Sequence, residues 1–165
     1  MSFTPIEVNL QAQTYAAIRI HVNQDSLDAD IPALYVEVHA WLTNRKIAVT
    51  GPGLIRYLSL NTETGTMDVH VGFPIAPHTT YHDRIEFDEL PAGTYLIAVH
   101  RGPYETLHKT SGMLLEWASE HDTCWQKSEG DHLIEWAGRV EHYLVGPNTE
   151  SNSRNWHTEI AILKA

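Results

Sequence analysis

The sequence predicts an α+β fold in which two β-α-β-β units form one antiparallel sheet that carries two main helices. Short strand-like stretches alternate with two amphipathic stretches, and turn residues separate them. The order strand, helix, strand, strand occurs twice along the chain, which indicates a duplication. We expect a single domain over 1–165 with half-repeats of about 1–83 and 84–165, and a ligand crevice at the pseudo-two-fold junction between them.

The first half contains one strand, one helix and two further strands. β-Branched residues predict a strand over 16–22, and the polar stretch 23–30 suits a loop or a helix cap. A helix over 31–43 follows from apolar residues at nearly helical spacing, namely Ile31, Leu34, Val38 and Leu42. Strands over 54–60 and 67–73 complete this half.

The second half repeats this pattern with one additional strand at its start. Strands are predicted over 85–90 and 94–100, and Gly102-Pro103 then breaks the chain and starts a helix over 104–119. The stretch 121–138 is polar and carries no predicted regular element. The last strands are expected over 139–145 and 156–163.

Aromatic residues occupy matching places in the two halves, which supports the duplication. Chance alignment of common aromatic residues is the alternative explanation. The matched pairs are Tyr15 with Tyr95, Trp41 with Trp117, and Tyr57 with Tyr143.

Charge and cysteine content limit the possible partners and compartments. Eleven Lys and Arg against 21 Asp and Glu give a net charge of −10, which argues against direct nucleic acid binding. The lone Cys124 fits a reducing compartment. We find no signal-peptide pattern and no apolar run of roughly 20 residues. These features predict a cytoplasmic protein without membrane association.

An ordered set of motifs resembles the GyrI-like family of small-molecule-binding domains. That family includes effector-binding domains of AraC-type and MerR-type multidrug regulators and the stand-alone DNA gyrase inhibitor protein. The resemblance implies the duplicated β-α-β-β fold, but this chain lacks a helix-turn-helix or winged-helix segment, so we expect a stand-alone form without DNA binding. The matching stretches are LPAGTYLIAVHRGPYETL at 90–107, LEW at 115–117, EHYL at 141–144, GP at 146–147 and TEIAI at 158–162.

The resemblance also implies a buried carboxylate at the floor of an aromatic pocket, which here is Glu141 beside Tyr143. Residues two apart on a strand point to the same face. A solvated glutamate on an open sheet face is the alternative. The predicted pocket walls, each of which has ordinary core packing as its alternative role, are Tyr57, Tyr95, Trp117, Trp136, Tyr143 and Trp156, with Trp41 and Phe73 as further candidates.

No metal or cofactor site is predicted. His78 and His82 are four apart but lie in a predicted loop beside Pro77, and His-Glu-x-x-His and Cys-x-x-Cys are absent. Haem-binding SOUL proteins share the expected fold, yet none of the eleven histidines stands out as an axial ligand.

The expected function is a binding module for lipophilic cationic, aromatic or amphipathic small molecules. Motifs of serine hydrolases, P-loops and dinucleotide sites are absent. One alternative is a small hydrolase of reactive xenobiotics that uses Glu141 with Tyr143 or Tyr57 for acid and base chemistry. Another is a gyrase-modulating interaction protein that acts through its surface, with an unknown protein partner. We favour binding over catalysis.

Overall fold

The computed structural model describes residues 3–77 and 84–165 and confirms an α+β fold with two helices on one curled antiparallel sheet. The helices are α1 (Gln24–Asn44) and α2 (Leu107–Glu120), and short 3₁₀ turns lie at Tyr104–Thr106 and Ser153–Asn155. The strands are β1 (Ile6–Leu10), β2 (Gln13–Val22), β3 (Leu54–Asn61), β4 (Met67–Pro74), β5 (Glu86–Leu90), β6 (Gly93–Arg101), β7 (Lys127–Glu129), β8 (Leu133–Trp136), β9 (Arg139–Val145) and β10 (His157–Leu163).

The strand order has the symmetry of two repeated units. It runs β1-β6-β10-β9-β3-β4-β2-β5, and it reads the same from both ends when β1 to β4 are exchanged with β5, β6, β9 and β10. The pseudo-two-fold axis therefore passes between β3 and β9. In the pairing of β3 with β9, Ile55 lies opposite Glu141. Tyr57 and Tyr143 are the same number of residues apart along the chain as Ile55 and Glu141, so they occupy equivalent places in the two halves.

Each half of the sheet is completed by a strand from the other half. β1 pairs with β6, and β5 pairs with β2, so the first strand of each half forms the outer edge of its partner. The two halves are thus interlocked at both edges as well as joined at the centre through β3 and β9.

Helix α1 begins before the predicted start at Ile31. The side chain of Asn23 caps it by accepting a hydrogen bond from the backbone N–H of Ser26 at 2.9 Å. The predicted cap is present, but the predicted loop is wrong, because the buried Leu27 extends the apolar stripe by one turn while its polar neighbours face outward. Pro32 lies inside the helix.

Two regions contain strands that the sequence pattern did not predict. β1 is an exposed edge strand, in which Ile6 is 63% exposed, so it lacks a clear buried face. The hairpin of β7 and β8 lies within the polar stretch 121–138, for which no regular element was predicted. Its strands have three and four residues, and β8 pairs with the distant β3 as well as with β7.

Among residues 3–77 and 84–165, the apolar core has three parts. One lies between α1 and the sheet and contains Ile18, Val38, Leu42, Ile55 and Val69. A second lies beneath α2 and contains Leu96, Leu114, Ala118, Ile160 and Ile162. The third covers the opposite face of the sheet and contains Tyr15, Leu54, Leu90, Tyr95 and Val140.

A buried polar network lies beside this third part. The hydroxyl of Tyr15 is 2.5 Å from Nδ1 of His70, and Nε2 of His70 is 2.7 Å from Glu86. Arg56 donates to the Tyr15 hydroxyl at 3.0 Å and to the Ala137 carbonyl at 3.0 Å. Because Tyr15 is fully buried, we assign this network a structural role. No helix in the described ranges is long and apolar enough to cross a membrane.

Candidate functional site

Glu141 lies at the junction of the two halves, on β9 beside β3. It is 6% exposed. Its Oε1 accepts hydrogen bonds from the hydroxyl of Tyr57 at 2.6 Å and from that of Tyr143 at 3.0 Å. Tyr143 reaches it because residues two apart on β9 share a face. Tyr57 reaches it from the equivalent place on β3, next to a register irregularity between Tyr57 and Ser59.

Burial dominates the protonation behaviour of this cluster. It raises the pKa of the Glu141 carboxyl, while the two tyrosine hydrogen bonds and Arg139 act in the opposite direction. Burial also raises the pKa of both Tyr57 and Tyr143 well above the usual value, so the two phenols stay protonated and remain donors. Among the described side chains, none forms an ion pair with Glu141.

Arg139 lies on the same face of β9, two residues before Glu141. The carbon of its guanidinium is 4.6 Å from the ring centre of Trp136 and 5.5 Å from that of Tyr57. Both distances are in the range of cation–π contacts. Burial lowers the pKa of Arg139, although Tyr57 and Glu141 act against this shift.

A chain of aromatic rings extends from Tyr143. Its ring centre is 5.6 Å from that of Tyr104 and 6.4 Å from that of Tyr35, both in edge-on arrangement. The ring centre of Tyr104 is in turn 4.8 Å from that of Trp156, and the ring centre of Tyr35 is 5.3 Å from that of Phe73. The rings come from α1, β4, β9, the 3₁₀ turn before α2 and the residue just before β10, so both halves contribute.

Backbone contacts fix the orientation of these rings. The hydroxyl of Tyr35 donates to the carbonyl of Leu54 at 3.0 Å, and Nε1 of Trp156 donates to the carbonyl of Glu150 at 2.8 Å. Gly146 leaves room for Tyr104, because a Cβ at residue 146 would lie 2.8 Å from the Tyr104 hydroxyl oxygen. The aromatic cluster is therefore held in place by the main chain as well as by ring packing.

The structure brings together some of the predicted pocket residues. Tyr57 and Tyr143 contact Glu141, Trp136 lies under Arg139, and Trp156 and Phe73 belong to the ring chain. These residues remain candidates for a ligand-binding role.

The other predicted wall residues have different surroundings. Tyr95 lies in the core on the opposite sheet face, where its hydroxyl donates to the Pro91 carbonyl at 2.7 Å. Trp117 stacks on His121 with ring centres 3.8 Å apart. Trp41 packs against Phe87 and beneath Arg45.

Three residues of the cluster were not predicted from the sequence. Tyr35 lies one turn after Ile31, on a helix flank that packs against the core, and this spacing was a usable signal. Arg139 is two residues before Glu141, so the strand period places both on one face. Tyr104 follows the break at Gly102-Pro103, and no local pattern indicates where its ring lies.

Metal binding finds no support in the part of the chain that the structure describes. No group of three or more histidine, cysteine, aspartate or glutamate side chains there is placed to hold a metal ion. His78 and His82, which the sequence analysis considered, lie outside the described residues.

Comparison with known families gives a direct assignment. The model of the GyrI-like small molecule binding domain matches residues 3–163. The chain belongs to this family. The GyrI-like domain therefore accounts for nearly the whole sequence, and the resemblance carried by the motifs above is confirmed. No curated protein matches the chain.

Solved structures share the fold of this GyrI-like domain at low sequence identity. The C-terminal domain of EcmrR is 19% identical, with a TM-score of 0.71, and the match covers 100% of this chain and 99% of that one. In the EcmrR–DNA complex, which has a TM-score of 0.72 and is also 19% identical, the match covers 98% of this chain and 57% of the EcmrR chain.

Two further structures extend the comparison. SAV2435 bound to tetraphenylphosphonium is 12% identical, with a TM-score of 0.62 and coverage of 99% of this chain and 94% of that one. A hydrolase from Listeria innocua is 9% identical, with a TM-score of 0.60 and coverage of 98% and 91%.

Proposed function

We propose that this GyrI-like domain binds lipophilic cations with aromatic or amphipathic character at the Glu141 cluster. One observation supports this proposal. The buried carboxylate of Glu141 accepts hydrogen bonds from Tyr57 and Tyr143 and has no ion-pair partner among the described residues. It also lies beside a chain of aromatic rings.

The energetics of a buried acid favour a cationic ligand. Burying an ionised carboxylate costs free energy unless a counter-charge and hydrogen bonds offset the loss of solvation. The two phenols supply hydrogen bonds but no positive charge, and the nearby Arg139 forms no ion pair with Glu141 among the described residues. A delocalised cation in contact with Glu141 would supply a direct counter-charge, and each ring face it touches would contribute roughly 0.5–2 kcal/mol.

A structural relative supports the same ligand class. SAV2435 has been solved with tetraphenylphosphonium, which combines a single positive charge with four phenyl groups. At 12% identity the likeness to SAV2435 establishes the fold, and the chemistry of Glu141 and its neighbours in this chain carries the proposal.

The test compares a flat cationic dye with a neutral dye of the same shape, using quenching of emission from the five tryptophans. Glu141→Gln keeps the shape and hydrogen bonding of the side chain and removes its charge. We expect it to weaken cation binding by about 2–5 kcal/mol, which is more than tenfold in affinity, and to leave the neutral dye nearly unaffected.

The matched control is Glu116→Gln, which removes the same charge from an exposed residue of α2. It should leave the affinity for both dyes unchanged. Equal affinity of the wild type and Glu141→Gln for the cation would overturn the proposal.

A second candidate is hydrolysis of a reactive electrophile. It is favoured by the raised pKa of Glu141 and the two phenols within hydrogen-bond distance, a combination suited to activating water and protonating a leaving group. A structural relative is described as a hydrolase from Listeria innocua.

Incubation with a cyclopropane-bearing alkylating compound, followed by mass spectrometry, separates the two functions. Hydrolysis adds the mass of one water to the compound, and Glu141→Gln should abolish this change. Recovery of the intact compound after binding would leave the domain as a binder alone.

A further inference from the structure

Arg139 places a positive charge next to the negative charge of Glu141. The two residues share one face of β9, and Tyr57 contacts both of them. The guanidinium carbon is 5.5 Å from the centre of the Tyr57 ring, while the Tyr57 hydroxyl donates to Glu141 at 2.6 Å. One tyrosine side chain thus links the two opposite charges.

The guanidinium of Arg139 has no anionic partner within residues 3–77 and 84–165. It forms no ion pair with a carboxylate and no hydrogen bond to a side chain or backbone acceptor there. Its contacts are the faces of Trp136 and Tyr57. Such stacking occupies the plane of the guanidinium and leaves its edge, which carries five N–H donors, able to bind an acceptor.

The environment of Arg139 indicates that an anion would be favourable there. The side chain is half-buried, and burial lowers its pKa, so the surroundings disfavour the positive charge. An arginine whose fork is open and partly desolvated binds a carboxylate strongly, because two parallel N–H donors match its two oxygens.

We propose that the site is dipolar and selects zwitterionic aromatic ligands, with the ligand cation at Glu141 and a ligand carboxylate at Arg139. This inference rests on the proposed function of Glu141 and adds a second charge requirement. If the Arg139 guanidinium only packs against the rings, a carboxylate on the ligand should not raise the affinity. If it only repels cations, its removal should tighten the binding of every cationic ligand.

The experiment uses two rhodamine dyes that share one cationic ring system. Rhodamine B carries a free carboxylate and is zwitterionic at neutral pH, whereas its ethyl ester has the same cation with the carboxylate masked. We expect the wild type to bind the acid about tenfold more tightly than the ester. If the wild type binds the acid and the ester equally, or binds the ester more tightly, the inference is overturned, and no variant is needed to show it.

Variants at residue 139 test the origin of the preference. Arg139→Met keeps an unbranched stem on Trp136 and Tyr57 and should remove the preference for the acid. Arg139→Lys keeps the positive charge but loses the two parallel N–H donors of the guanidinium, so we expect a preference for the acid between those of the wild type and Arg139→Met. Arg45→Met is the matched control, because Arg45 also lies over a tryptophan ring, 4.1 Å from the centre of Trp41, and its loss should leave the ratio unchanged.

The remaining outcomes separate this inference from the proposed function. If Arg139→Met tightens or weakens both dyes equally while Glu141→Gln weakens both, the dipolar site is overturned and cation binding stands. If neither dye binds the wild type, or Glu141→Gln affects neither, the proposed function fails and the inference fails with it.

Discussion

At the scale of single residues, Glu141 is a source of instability in the ligand-free protein. Glu141→Gln should raise the free energy of unfolding at neutral pH by about 1 kcal/mol, because the amide oxygen still accepts from Tyr57 and Tyr143 while no charge is buried. Urea unfolding of the two proteins measures the difference. A large loss of stability would contradict this expectation.

The pH dependence of that difference follows from the raised pKa of Glu141. The folded protein holds the carboxyl proton to a higher pH than the unfolded chain, in which the pKa of glutamate is about 4.3. The stability contributed by Glu141 therefore falls as pH rises from that value through the folded pKa. The advantage of Glu141→Gln should vanish at acidic pH and grow towards neutrality.

Local sequence patterns account for only part of the site. The period of two on a strand correctly placed Glu141 and Tyr143 on one face. The bond from Tyr57 depends on the pairing of β3 with β9, and the contact of Tyr143 with Tyr104 depends on how the 3₁₀ turn before α2 packs. Such contacts join segments far apart in the chain, so local periodicity cannot supply them.

At the scale of elements, two glycines should respond oppositely to the same substitution. Gly112 is exposed on α2, and a Cβ there would meet no atom within 4 Å, so Gly112→Ala should stabilise the protein by about 0.5–1 kcal/mol. A Cβ at Gly72 of β4 would collide with the backbone of Ala16 on β2, so Gly72→Ala should disrupt their pairing.

Thermal unfolding of both glycine variants measures the contrast. The outcome that would contradict it is a stabilised Gly72→Ala or a strongly destabilised Gly112→Ala. Both variants replace a glycine with an alanine, so opposite changes in stability would have to come from the surroundings of the two residues.

Element prediction succeeded for the elements that bury an apolar face and failed for several that do not. The helix α2 and the strands β2, β3, β4, β6, β9 and β10 were found because they pack apolar residues against the cores. The short β5 was also predicted, although Leu90 is its only buried residue. The first turns of α1 contribute Leu27 to the core within an otherwise polar stretch, and β1 and β7 are largely exposed. Their conformations are set by a cap or by a partner strand.

At the scale of the whole molecule, the interlocked edges predict that neither half is stable alone. A fragment of 1–83 lacks the β6 partner of β1, and a fragment of 84–165 lacks the β2 partner of β5. Each fragment should unfold without a cooperative transition, and mixing the two should restore one. Circular dichroism during heating measures this, and cooperative unfolding of an isolated half would contradict the prediction.

The place of β10 has a consequence for synthesis on the ribosome. This strand follows β6 and β9 in the chain, yet it lies between them in the sheet and hydrogen bonds to both. Because β6 and β9 are synthesised first, each keeps one edge unpaired until residues 157–163 have also left the ribosome. We therefore expect the second half of the sheet to close only then, with the open edges of β6 and β9 accessible to chaperones in the meantime.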